Sequence, residues 1–152
     1  MMIRFNINNI FVSVLGIGYI PFASGTFGSI AGLIIGYLVY LINFKLLFLL
    51  IPILLIIGIK ASQIYQDRTG EQDSKVIVID EVVGQLIAMI SVLDNVLLIF
   101  LSFIIFRLFD IFKPWPASYF DKKIKNGTGV MLDDVVAGIY TLITVTFIGK
   151  FL

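Results

Sequence analysis

Apolar residues along this chain fall into long blocks rather than short alternations, and polar breaks punctuate the blocks. Blocks of that length read as helices buried in a bilayer. Met1–Asn9 is polar, with Arg4 and three Asn; Ile10–Ala23 is apolar but short, and is broken by Gly16, Gly18 and Pro21. That first stretch reads as an interfacial or re-entrant segment. A basic start before an apolar run also suits a signal peptide, but the run lies late and a Gly/Pro-rich stretch follows it.

Five longer segments follow. The first opens at Gly25–Ser29 (GTFGS) and continues to about Asn43; the second is Phe44–Tyr65, interrupted only by Pro52 and Lys60. A polar loop, QDRTGEQDSKV, leads to a third segment from Asp80-Glu81 to Leu93. This one is short for a ~30 Å hydrocarbon core, so it either borrows Val76–Ile79 or stops part-way. After Asp94-Asn95, a fourth segment runs over Val96–Phe112 and ends at Lys113-Pro114-Trp115-Pro116, where the prolines stop the helix and Trp115 suits an interface. Ala117–Met131 reads as a basic, glycine-containing loop. The fifth segment is expected to start near Asp133 and reach Gly149. The fold class is therefore all-α, a polytopic helical membrane bundle with about four to five membrane-embedded segments.

Composition agrees. Of the 152 residues, 59% are hydrophobic and 14% charged, which leaves too little polar surface for a water-soluble domain. The mean hydropathy is +1.05. That length suits one domain, residues 1–152, with no room for a second. A net charge of +1 gives no reason to expect a nucleic-acid partner. There is neither Cys nor His, so thiol nucleophiles, phosphohistidine, imidazole bases and soft metal sites are excluded.

Two up-and-down hairpins followed by a fifth segment return the polar ends to one side. By that parity every acidic residue except Asp94 collects there, together with Arg4, Arg68, Lys75, Arg107, Lys113, Lys122, Lys123 and Lys125. Lys45 and Lys150 fall on the other side. The asymmetry marks the charged face as cytoplasmic.

Asp80, Glu81, Asp110, Asp133 and Asp134 thus converge at helix ends. Clustered carboxylates repel one another unless a cation sits among them, and Mg²⁺ prefers oxygen ligands shared with a phosphate. Arg107 and Lys113 would hold phosphate oxygens. Thr26 and Ser29, at a helix start, are candidates for binding an anion. Plainer accounts exist: Asp80 and Asp133 as helix caps, Arg107–Asp110 as an intrahelical ion pair, and Asp121 as loop surface beside a basic run that meets lipid headgroups. Asp67 and Asp73 stay open. Gly28, Gly32 and Gly36 share one helix face and read as a packing seam, and Gly138 leaves room for a close neighbour.

The pieces PFASGTFGS (Pro21–Ser29), Asp67, Asp73, IDEVVG (Ile79–Gly84), FRLFDIFKPWP (Phe106–Pro116), Asp121 and GTGVMLDDVVAG (Gly127–Gly138) occur in order over nearly the whole chain. Together they resemble the phosphatidylglycerophosphatase A family of bacterial membrane phosphatases. The resemblance implies a Mg²⁺-dependent phosphoric monoester hydrolase of the cytoplasmic membrane. Its substrate would be phosphatidylglycerophosphate and its product phosphatidylglycerol. The acids at 80, 81, 110, 133 and 134 become the candidate metal and catalytic positions, with Asp80, Glu81, Asp110 and Asp134 as the metal set. Two alternatives from other classes are a divalent-cation transporter, which would favour acids within the apolar spans, and a membrane scaffold, which would not need acids converging from three segments. A lipid phosphotransferase of the CDP-alcohol type lacks its D-G-x-x-A-R signature here.

Overall fold

The computed structural model describes residues 6–72 and 74–152. Arg4 and Asp73 lie outside the described residues. Seven α-helices and one 3₁₀ turn are present among the described residues, and no strand. Helix α1 (Ile7–Val12) and the 3₁₀ turn Ile17–Tyr19 precede α2 (Ser24–Asn43) and α3 (Lys45–Thr69). Then come α4 (Ile79–Met89), α5 (Val96–Phe112), the short α6 (Ala117–Lys123) and α7 (Gly127–Ile148). Three of them, α2, α3 and α7, are long and apolar enough to cross a membrane, and α5 follows with 17 residues. Large apolar side chains such as Ile42, Phe48, Phe100 and Ile143 point outward, as expected where the solvent is lipid rather than water.

The centre of the bundle is α4. Its 11 residues rise about 16 Å, roughly half a hydrocarbon core, so the third segment stops part-way. Val76–Val78 stay outside the helix. It is buried on nearly every side, packing on α2, α3, α5 and α7. Close approach is possible because small residues face it. A Cβ on Gly32 would stand 2.9 Å from the Val82 carbonyl oxygen, and one on Gly36 would stand 2.9 Å from Leu86 Cδ2. Gly28, Gly32 and Gly36 therefore form the seam between α2 and α4. Within this core the buried Gln85 donates to Ser102 Oγ (3.2 Å), a polar tie to α5.

The parity of the segments holds. At one end, Ser24 Oγ donates to the Lys75 carbonyl (2.9 Å), and Gln63 on α3 accepts from Gly127 N (2.9 Å) at the start of α7. At the other, Ser91 and Thr146 hydroxyls lie 2.7 Å apart, and the residues Tyr40, Phe44, Ile90 and Asp94 share a cavity. The N-terminal stretch does not span: Val12 is buried and its carbonyl accepts from Val78 N (2.9 Å), while Asn8 Nδ2 donates to the Ala61 carbonyl (3.0 Å).

Two boundaries differ from expectation. The fifth helix begins at Gly127, not near Asp133, because Asn126 is its N-cap, with Oδ1 accepting from Thr128 N (3.0 Å) and Gly129 N (3.1 Å). The expected loop over Ala117–Met131 contains α6, which folds back on α7.

Candidate active site

The first turn of α4 carries Asp80 and Glu81, and α7 carries Asp134 two turns in from its start. One oxygen from each of these three lies within 4.8 Å of the others. Two metal–oxygen bonds of about 2.1 Å span at most ~4.2 Å across a hard divalent ion, so the triad is nearly at coordination spacing. Glu81 Oε2 is buried and has no hydrogen-bond partner among the described residues. A buried carboxylate oxygen left unpaired is costly, and a bound cation is the partner that would relieve it. All three donors are oxygens, which suits Mg²⁺, Ca²⁺ or Mn²⁺ rather than a softer metal.

The other two candidate acids are each engaged by a basic side chain. Arg107 Nη1 meets Asp110 Oδ2 at 2.5 Å one turn away on α5, and also reaches Ser29 Oγ at 3.4 Å. Lys113 stands in the left-handed region (φ 44) at the end of α5, which turns it across the site. It bonds both Asp133 and Asp121, the latter at 3.0 Å. Burial works against the Lys113 charge, but Asp133, then Asp134 and Asp121, outweigh it and raise the pKa well above the usual lysine range. This ammonium therefore stays protonated at any physiological pH.

These groups line a cavity of about 160 Å³, walled by Asp80, Glu81, Asp110, Lys113, Asp121, Asp133 and Asp134 and edged by Gln72, Ser74, Lys75 and Ile77. A hard-cation triad beside a fixed ammonium, within a pocket that opens between helix ends, suits a phosphorylated ligand. A family model described as Phosphatidylglycerophosphatase A matches residues 10–149. The chain belongs to the phosphatidylglycerophosphatase A family.

Curated relatives agree. Phosphatidylglycerophosphatase A of Haemophilus influenzae is 39% identical over 132 residues, covering 86% of this chain and 81% of its own length. The Escherichia coli protein of the same name is 33% identical over 135 residues, covering 88% and 78%. A Bacteroides thetaiotaomicron protein, provisionally named a phosphatidylinositol-3-phosphatase, is 37% identical over 138 residues, covering 86% of each. No solved structure matches the chain.

Within this phosphatidylglycerophosphatase A chain, the sequence candidates sort into distinct places. Asp80, Glu81 and Asp134 form the oxygen triad, whereas Asp110, expected with them, lines the cavity while held by Arg107. Asp133 is inside α7, so the cap account fails for it; Asp80 lies within the first turn of α4, beyond the N-cap position Val78. Arg107 and Ser29 stand behind the cavity wall rather than on it, with the Ser29 hydroxyl donating to the Gly25 carbonyl (2.9 Å), and Thr26 does not line the cavity. Asp121 corrects the reading of it as loop surface: α6 folds the loop back and brings its carboxylate onto Lys113. Sequence reasoning also missed Gln63, whose capping of α7 joins residues far apart in the chain.

Proposed function

We propose that this protein hydrolyses the terminal phosphomonoester of phosphatidylglycerophosphate, releasing phosphate and phosphatidylglycerol, with Mg²⁺ and at the cytoplasmic face of the bacterial inner membrane. The observation that carries the reading is the Asp80–Glu81–Asp134 oxygen triad with its unpaired Glu81 Oε2, in a chain of this family. The facing follows from charge: Arg68, Lys75, Arg107, Lys113 and Lys122–Lys125 gather at the site end, and Lys45 and Lys150 at the other.

Phosphate-monoester hydrolysis needs an acceleration of up to ~10²¹-fold, so positioning and charge stabilisation must both be large. Asp80, Glu81 and Asp134 would hold the Mg²⁺, which supplies charge neutralisation at the phosphate oxygens. Lys113, held between Asp121 and Asp133, donates to a phosphate oxygen. Arg107 acts from behind: it orients Asp110 and offsets the negative charge of the cluster. Asp110, which lines the cavity, is then the carboxylate placed to take a proton from the attacking water.

The direct test is phosphate release from purified protein given phosphatidylglycerophosphate, with Mg²⁺ or with chelator. Release that requires the divalent ion is expected. Equal release in chelator would rule out the metal-dependent reading.

A further inference from the structure

Charge in the cavity changes sign with depth. Asp134 is 3% exposed and Asp133 5%. The Lys113 and Asp121 side chains, at 29% and 25%, stand further out as an ion pair. At the mouth, two exposed lysines, Lys75 and Lys125, line the same cavity from two separate loops. Neither loop is loosely attached. The Lys75 carbonyl accepts from Ser24 Oγ, and Val78 N–H donates to the Val12 carbonyl (2.9 Å) three residues on; Lys125 directly precedes Asn126, the N-cap of α7. Lys122 and Lys123 belong to the same basic run but do not line the cavity.

We propose that Lys75 and Lys125 bind the phosphodiester of the substrate, so that the site selects lipid headgroups carrying a diester phosphate and, beyond a short polyol, a phosphomonoester. This rests on the functional reading above and deepens it. The names of the relatives describe headgroups that share this chemistry although their polyols differ, glycerol in two and inositol in the third. Recognition through two phosphates tolerates such a change; recognition through the polyol hydroxyls does not. Size points the same way. A cavity of about 160 Å³ compares with the ~150 Å³ that admits benzene, enough for a phosphorylated polyol but not for acyl chains. With the monoester at the acid triad, the diester lies at the mouth, among the two ammonium groups.

The experiment compares phosphatidylglycerophosphate with phosphatidate, which has a monoester and no diester, using purified protein and Mg²⁺ in non-ionic micelles free of other anionic lipid. Wild type should prefer phosphatidylglycerophosphate. Lys75→Gln and Lys125→Gln should each lower the ratio of kcat/KM values about fivefold, chiefly through KM on the diester substrate. Lys75→Arg and Lys125→Arg should retain the preference, since they keep the charge. Lys122→Gln, a change of surface charge outside the cavity, should leave the ratio as it is. An equal effect of the Gln changes on both substrates, loss of preference in the Arg variants, or the same shift in Lys122→Gln would overturn the inference while the phosphatase reading stands. A wild-type protein that releases no phosphate from phosphatidylglycerophosphate would overturn both.

Discussion

Gly84 and Gly138 meet back to back where α4 crosses α7: a Cβ added to Gly138 would stand 2.5 Å from the Gly84 carbonyl oxygen. Each glycine lies one turn beyond an acid of the triad, Gly84 after Asp80 and Gly138 after Asp134. A Cβ on Gly84 would also stand 2.8 Å from the Asp134 carbonyl oxygen. The contact therefore sets how closely the two carboxylate-bearing turns approach. Small residues at the crossing bring the carboxylates together against their own repulsion.

The Gly138→Ala change should consequently cost about 1–3 kcal/mol, because the added methyl meets backbone that cannot turn aside. Gly36→Ala should cost less, since the atoms facing it are the ends of Leu86 and Met89 side chains. Thermal unfolding in detergent measures both. A wild-type melting temperature for Gly138→Ala would show that the crossing is not held at this point.

Asp80→Asn and Asp134→Asn keep shape and remove charge. Loss of even an outer partner of a metal site costs about 10–100-fold, so Mg²⁺-dependent turnover should fall by more than ~100-fold. Stability should hold or rise, because one of several mutually repelling carboxylates is gone. A helix-cap role predicts instead nearly unchanged activity, as Asn caps about as well as Asp. Phosphate release titrated against Mg²⁺, with melting curves alongside, separates the two.

Lys113→Met should lower both stability and activity. It leaves the Asp133 side chain, 7% exposed, without its cation. Breaking a fully buried pair costs ~3–5 kcal/mol, and the partial exposure of Lys113 makes the expected loss smaller. Asp121→Asn should cost under ~1 kcal/mol, since that pair is nearer solvent, yet lower turnover several-fold by loosening Lys113. Chemical denaturation and steady-state kinetics on both variants check this; full activity in Lys113→Met would remove the ammonium from the mechanism.

Topology is open to labelling because the chain has no native cysteine. Glu71→Cys and Lys122→Cys should react with an impermeant maleimide only from the cytoplasmic side, and Asp94→Cys only from outside. Outside labelling of Glu71→Cys in intact cells would reverse the proposed orientation.

Much of the bundle was legible in the order of residues. Length and hydrophobicity of the blocks dictate helices, since a backbone in lipid must satisfy its own hydrogen bonds. Glycines at 28, 32 and 36 recur at a helical period, so they had to share a face, and the parity of hairpins sent the charged ends to one side. The Asn126 cap is equally present in the pattern Asn-Gly-Thr-Gly, although the acids at Asp133 and Asp134 imitate a helix start further along.

Only the tertiary structure separated the acids. Asp133 and Asp134 are neighbours in sequence, yet successive helix residues point about 100° apart, and the crossing of α7 over α4 decides what each meets. Asp134 turns to Asp80 and Glu81, while Asp133 turns to Lys113. Asp121 joined the wall because α6 folds back, and Arg107 moved behind it because Ser29 and Asp110 hold its guanidinium. Composition and period determine which residues reach one face of the membrane. Pairing among them depends on interhelical distance and rotation, which no single segment of this sequence encodes.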